Sequence, residues 1–94
     1  MQAPDRTLKL TAHAKDRIQE RSICAADIET ALRTGWVLNQ GCERIFVIGH
    51  REIAEHRNSV SPCLEGLTVV ATQDDRIITA YYDRRYHMRK RRAN

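Results

Sequence analysis

The spacing of apolar residues changes at Gly35, and that change constrains the fold more than any other feature of the chain. Upstream of it the period is helical. Leu10, Ala14 and Ile18 recur every four residues behind a Thr11 that can serve as N-cap, which predicts a helix from Leu10 to about Gln19 or Arg21. A second helix opens at Cys24. With Cys24 as N-cap, Asp27 falls at the third helical position, where a carboxylate suits the helix dipole and can reach back to the cap. Ile23 and Ile28 hold the two positions of a hydrophobic staple, and Ile28, Ala31 and Leu32 form the buried stripe. Cysteine caps more weakly than serine or threonine, so some stability is forgone. Gly35 is expected to end this helix in a left-handed conformation.

Downstream the period is that of strands. Trp36–Asn39 and Arg44–Ile48 read as a hairpin turning through Gln40-Gly41-Cys42-Glu43. Leu67–Thr72 and Arg76–Tyr82, rich in β-branched and aromatic residues, read as a second pair turning at Gln73-Asp74-Asp75. Residues 49–66 are not readable as a single element: Glu52–Arg57 fits a short helix or a continued strand, and residues 58–62 read as loop. The expectation is an α+β fold, two N-terminal helices packed on one face of a small antiparallel sheet of about four strands.

Ninety-four residues suit one domain with a modest core and little room for an enclosed cofactor. The expected division is a domain over 1–83 and a basic tail over 84–94. The net charge of +4 belongs to that tail. Arg84, Arg85, Arg89, Lys90, Arg91 and Arg92 stand in its eleven residues with no acid, and residues 1–83 carry a net −2. Such a run adds salt-sensitive affinity for phosphate polymers, and these six residues are the expected nucleic-acid contacts. The odd count of three cysteines, Cys24, Cys42 and Cys63, fits a reducing compartment. The start lacks the basic-then-apolar run of a signal peptide, and the longest apolar run, Ile45–Ile48, is far below the ~20 residues of a membrane helix. A cytoplasmic protein away from membranes is expected.

The most informative cluster is His13, Arg17 and Arg21, at i, i+4 and i+8. They fall within an arc of roughly 80° that overlaps the apolar one, which puts them at the edge of the buried face. Guanidinium groups there need anionic partners. Internal carboxylates such as Glu20 or Asp27 are one solution. An external phosphate is the other, with His13 as general acid or base. On the last strand, Ile77, Thr79 and Tyr81 are expected on one face and Ile78, Ala80 and Tyr82 on the other. Two hydroxyls opposite a His/Arg helix face would suit a metal-free phosphodiester site. His50, His56 and Cys63 lack metal-site spacing, no phosphate loop or dinucleotide motif is present, and no metal or cofactor is expected.

The run Leu10-Thr11-Ala12-His13-Ala14-(x)2-Arg17-Ile18-(x)2-Arg21-Ser22-Ile23, with its helix ending at Gly35, resembles the opening of the domain-of-unknown-function family 4258. The later Ile77-Ile78-Thr79-Ala80-Tyr81 resembles that family's closing strand, so the likeness spans roughly residues 8–83. The family is grouped with the barnase–EndoU–colicin–RelE superfamily of metal-independent ribonucleases, many of them bacterial toxins. The resemblance therefore implies a RelE-like fold, RNA as substrate, an antitoxin-like protein partner, and a catalytic set of His13, Arg17, Arg21, Thr79 and Tyr81. The chain departs from the family in Cys24, where Ser or Thr is usual, and in the long segment from Glu52 to Glu65. A competing class is a noncatalytic RNA- or protein-binding module, which the slightly acidic body favours.

Overall fold

The structure, a computed structural model, describes residues 9–88. Its elements in chain order are β1 (Lys9–Leu10), α1 (Ala12–Glu20), α2 (Ala25–Thr34), β2 (Trp36–Gln40), β3 (Glu43–Val47), α3 (His50–Glu55), β4 (Leu67–Thr72) and β5 (Arg76–Tyr82). Short 3-10 turns lie at Pro62–Leu64 and Tyr86–Met88. The fold is α+β as expected, with a third helix and a fifth strand. The sheet order is β1-β5-β4-β3-β2, and it is mixed: β1 runs parallel to β5 while the other three pairings are antiparallel.

Leu10, expected inside the first helix, instead pairs with Ile77 in β1. Thr11 ends the strand and caps the helix: its backbone N–H donates to the Ile77 carbonyl at 3.1 Å, and its hydroxyl accepts from Ala14 N–H at 3.0 Å. A single residue thus satisfies both the strand register and an orphan helix donor. In α2, Asp27 Oδ2 accepts the Cys24 N–H at 3.3 Å, the reach-back that the spacing predicts.

Gly35 is not left-handed. Its backbone is extended, at φ −69° and ψ 154°. Glycine is needed for a different reason, since a Cβ there would lie 2.7 Å from the Ala31 carbonyl oxygen and 3.1 Å from that of Val47. The helix end and β3 approach too closely for a side chain.

The helices cover one face of the sheet. Ala14, Ile23, Ile28 and Ala31 from the helical half pack with Phe46, Leu67, Val69, Ala71, Ile77 and Ala80 from the strands. Ile28, Leu67 and Ile77 are completely buried, worth roughly 1.5–3 kcal/mol each. The opposite face carries a smaller cluster of Ile45, Val47, Val70 and Tyr86, flanked by half-buried Trp36, Leu38, Ile78 and Tyr81. Packing therefore continues past residue 83, as far as Tyr86.

A β-bulge separates the two faces of β5 from simple alternation. Thr79 pairs with Val70 and Ile77 with Ala71, so Ile78 is an extra residue without a partner on β4. Ile77 consequently shares the helix-side core with Ala80, while Ile78 and Tyr81 join the other cluster. The expected grouping of Ile77 with Thr79 and Tyr81 is corrected by this one insertion.

Candidate functional site: an open sheet edge beside the first helix

Because β1 ends at Leu10, among the described residues it shields β5 only at Arg76 and Ile77. From Ile78 onward β5 has no strand beyond it among the described residues, and α1 runs beside it. Two side chains of the α1 region bond the exposed backbone. The Thr11 hydroxyl donates to the Ile78 carbonyl at 3.4 Å, and Arg21 Nη1 donates to the Ala80 carbonyl at 2.9 Å. They occupy acceptors that an incoming strand would otherwise take.

Arg21 was expected to need a carboxylate or a phosphate. Its partner is a backbone oxygen, and its guanidinium carbon also lies 6.0 Å from the centroid of the Tyr81 ring, at the outer range of a cation–π contact. Arg21 and Tyr81 are thereby brought together across the gap between α1 and β5. Thr79, two residues before Tyr81, is half-buried and pairs with Val70 of the second cluster.

His13 and Arg17 are exposed, not at the margin of the core, because α1 turns this flank outward beyond the sheet edge. They touch each other: Arg17 Nε donates to His13 Nε2 at 3.4 Å, a bond that requires the neutral imidazole with its proton on Nδ1. Arg17 Nη1 also pairs with Glu20 Oε1 at 3.3 Å. Both groups remain in solvent, so that pair holds little energy. The five residues thus form two contacting pairs, His13–Arg17 and Arg21–Tyr81, on the flank of α1 and the adjoining edge of β5, with Thr79 on the same strand.

A second concavity of about 360 Å³ opens at the far end of β5. It is lined by Cys63, Glu65, Tyr82, Arg84 and Tyr86. Its floor is tightly built. Gly66, at φ +92°, accepts the Asp83 N–H at 2.8 Å, and a Cβ on it would meet the Asp83 oxygen at 2.9 Å. The buried Tyr86 hydroxyl donates to Glu65 Oε2 at 2.6 Å and accepts from His50 N–H at 2.9 Å. Burial pushes the Tyr86 phenol above its ordinary pKa, and its hydrogen bond to Glu65 pushes the same way. Partial burial likewise raises Tyr82, with the Asp27 carboxylate adding to it.

Tyr86 is the structural residue that sequence reasoning passed over. Its signal was one aromatic inside the basic run Arg84-Arg85-Tyr86-His87, which invited reading the whole run as solvated. Of the expected nucleic-acid contacts, Arg84 lines this cleft and Arg85 is exposed. Arg89, Lys90, Arg91 and Arg92 lie outside the described residues. Among the described residues, no group of three or more His, Cys, Asp or Glu side chains could hold a metal ion, and no helix is long and apolar enough to cross a membrane.

No curated protein and no solved structure matches the chain. One family does, over residues 10–92, which takes in the helices, strands β2 to β5, the last residue of β1 and most of the basic end. The chain belongs to that family, a domain of unknown function (DUF4258).

Proposed function

We propose that this chain is a metal-independent ribonuclease of the toxin-like class, of the barnase–EndoU–colicin–RelE superfamily, acting on RNA in the bacterial cytoplasm. The observation that carries the reading is the pairing of His13 with Arg17 and of Arg21 with Tyr81 beside one open strand edge. That arrangement supplies a proton-transfer group, cations and a phenol from two adjoining elements. The chemistry is attack of a ribose 2′-hydroxyl on its adjacent phosphorus. A base takes the 2′ proton, the bond to the 5′-oxygen breaks, an acid protonates that oxygen, and a 2′,3′-cyclic phosphate remains. His13 transfers protons. Arg17 and Arg21 offset the charge of the phosphorane, Tyr81 serves as acid or positions the leaving oxygen, and Thr79 orients the phosphate. Acid, base and cations all come from side chains, so no metal or cofactor enters. The basic residues from Arg84 to Arg92 hold the RNA backbone, and an antitoxin-like protein is the expected partner.

The Arg17–Glu20 pair and the anchoring of Arg21 on Ala80 favour a second reading. In it the helix flank is structural and the domain is a noncatalytic RNA- or protein-binding module with a basic tail. End-group analysis separates the two. Total RNA incubated with the purified protein in EDTA should yield fragments ending in 2′,3′-cyclic phosphate. Binding without such ends would support the module.

A further inference from the structure

The cleft at the far end of β5 has no part in the chemistry proposed for the α1 flank, yet it is lined by groups that suit a ligand. Tyr82, the last residue of β5, pairs with Leu67 through its backbone and leaves its side chain 42% exposed. It is one of two large hydrophobics so exposed among the described residues, and its ring lines the cleft. Glu65 is held by one oxygen only: Oε2 accepts from the Tyr86 hydroxyl, and Oε1 has no partner among the described residues. Arg84 also lines the cleft, is exposed, and has no carboxylate partner among the described residues. It opens the basic run that continues in sequence through Arg85, Arg89, Lys90, Arg91 and Arg92.

We infer that this cleft is a subsite for one unpaired nucleobase of an RNA strand, with Tyr82 as the stacking surface and Arg84 on the adjoining phosphate. The inference rests on RNA being the ligand, and it holds for a binder as well as for a ribonuclease. At about 360 Å³ the cleft is near the small end of ligand pockets, roughly 300–1,000 Å³, which suits a single ring system. An exposed tyrosine ring stacks any base, because every base has a π-face. Charge sets the orientation. The Glu65 carboxylate accepts N–H donors, which every base carries on its edge, and repels phosphate, whereas Arg84 attracts it. The base therefore enters the cleft and the backbone stays at the rim with Arg84. An acidic peptide would engage Arg84 but leave the exposed ring and the free Glu65 oxygen unused. The site is also preformed. The Asp83 N–H to Gly66 bond at 2.8 Å, and Tyr86 bonded to both Glu65 and the His50 N–H, fix the residues around it, so little ordering entropy is lost on binding.

Fluorescence anisotropy on the full chain with a labelled 2′-O-methyl octaadenylate tests this. The probe has no free 2′-hydroxyl, so binding is read without cleavage. Tyr82→Phe keeps the ring and should bind within about twofold of the wild type, whereas Tyr82→Leu, apolar but without a π-face, should weaken binding roughly fivefold to a hundredfold. An abasic strand of the same length and charge should bind the wild type as weakly as the octamer binds Tyr82→Leu. Arg84→Gln should weaken binding and lower its salt dependence by about one phosphate contact. Alkylation by N-ethylmaleimide, read by mass spectrometry, locates the strand. Saturating octamer should slow modification of Cys63, which lines the cleft, and leave that of Cys42, exposed in the turn between β2 and β3, unchanged. A wild type that ignores the octamer overturns the subsite and leaves the cleft to an acidic protein segment. Equal affinity for Tyr82→Leu and the wild type, or an unprotected Cys63, overturns it as well. Each of these results can stand beside RNA cleavage by the wild type. Tyr82-dependent binding without any cleavage upholds the subsite and overturns the ribonuclease.

Discussion

Arg21 holds the carbonyl oxygen of Ala80 at 2.9 Å, and by that bond α1 occupies one acceptor of the open edge of β5. β1 ends at Leu10, opposite Ile77, so beyond that point the helix supplies from a side chain what a strand continuing past Leu10 would supply from its backbone. The same side chain is proposed to face phosphate, and the two roles make different demands.

Replacing Arg21 with alanine should lower the stability by about 1 kcal/mol, the usual net worth of a solvent-accessible hydrogen bond. Arg21→Lys should recover part of that. Urea denaturation of the three proteins measures the structural role. If Arg21 also carries phosphate charge, cleavage by Arg21→Lys must fall far more than its stability does.

Gly35→Ala should cost about 3 kcal/mol, because the new Cβ would meet fixed backbone of α2 and β3. Gly41→Ala should cost about 1 kcal/mol, since only its positive φ of +63° is offended and nothing lies within 4 Å. Thermal or urea unfolding of the two variants should keep that order. Equal costs would mean that close approach at Gly35 does not govern its identity.

Tyr86 gives a pH dependence with a definite sign. Its folded pKa is raised above the ordinary 10.0, so between the two values the folded state holds the proton more tightly than the unfolded chain. Its contribution is complete below about pH 10 and is lost as pH rises through the raised value. Tyr86→Phe, which removes the bonds to Glu65 and His50, should cost about 1–2 kcal/mol near neutrality. The gap between wild type and variant should shrink as pH rises above 10.0, followed by urea midpoints. A gap that widens there would contradict the raised value.

The helical half was legible because its signals are local. The Thr11 cap, the Asp27 reach-back and the Ile23/Ile28 staple each lie within a few residues of one another, and the structure has both cap bonds, with Ile23 and Ile28 in one core. The strands were legible as apolar runs, but their register was not. The bulge at Ile78 depends on how β4 and β5 settle against the helices, and nothing in residues 76–82 marks the extra residue. A two-residue β1 is below the length at which any period can be seen, and Leu10 satisfied the helical spacing by coincidence.

For the candidate site, spacing along α1 placed His13, Arg17 and Arg21 in one row, and His13–Arg17 contact follows from it. Depth was misjudged, since the helix overhangs the sheet edge and leaves all three exposed. The partner of Arg21 could not be foreseen, because a backbone carbonyl is the same at every position and leaves no trace in sequence.

The central claim concerns chemistry at the α1 flank, and one comparison bears on it most directly. Cleavage of total RNA in EDTA should be measured for the wild type, His13→Ala and Arg17→Ala, each confirmed folded by circular dichroism. Both side chains are exposed, so neither change should cost more than about 0.5 kcal/mol in stability. The account predicts wild-type fragments ending in 2′,3′-cyclic phosphate and a fall of roughly 10²-fold or more in both variants, the usual scale for loss of a proton-transfer group or a charge-stabilising donor. Undiminished cleavage by both folded variants, or no cleavage by the wild type with or without ribosomes, would contradict it.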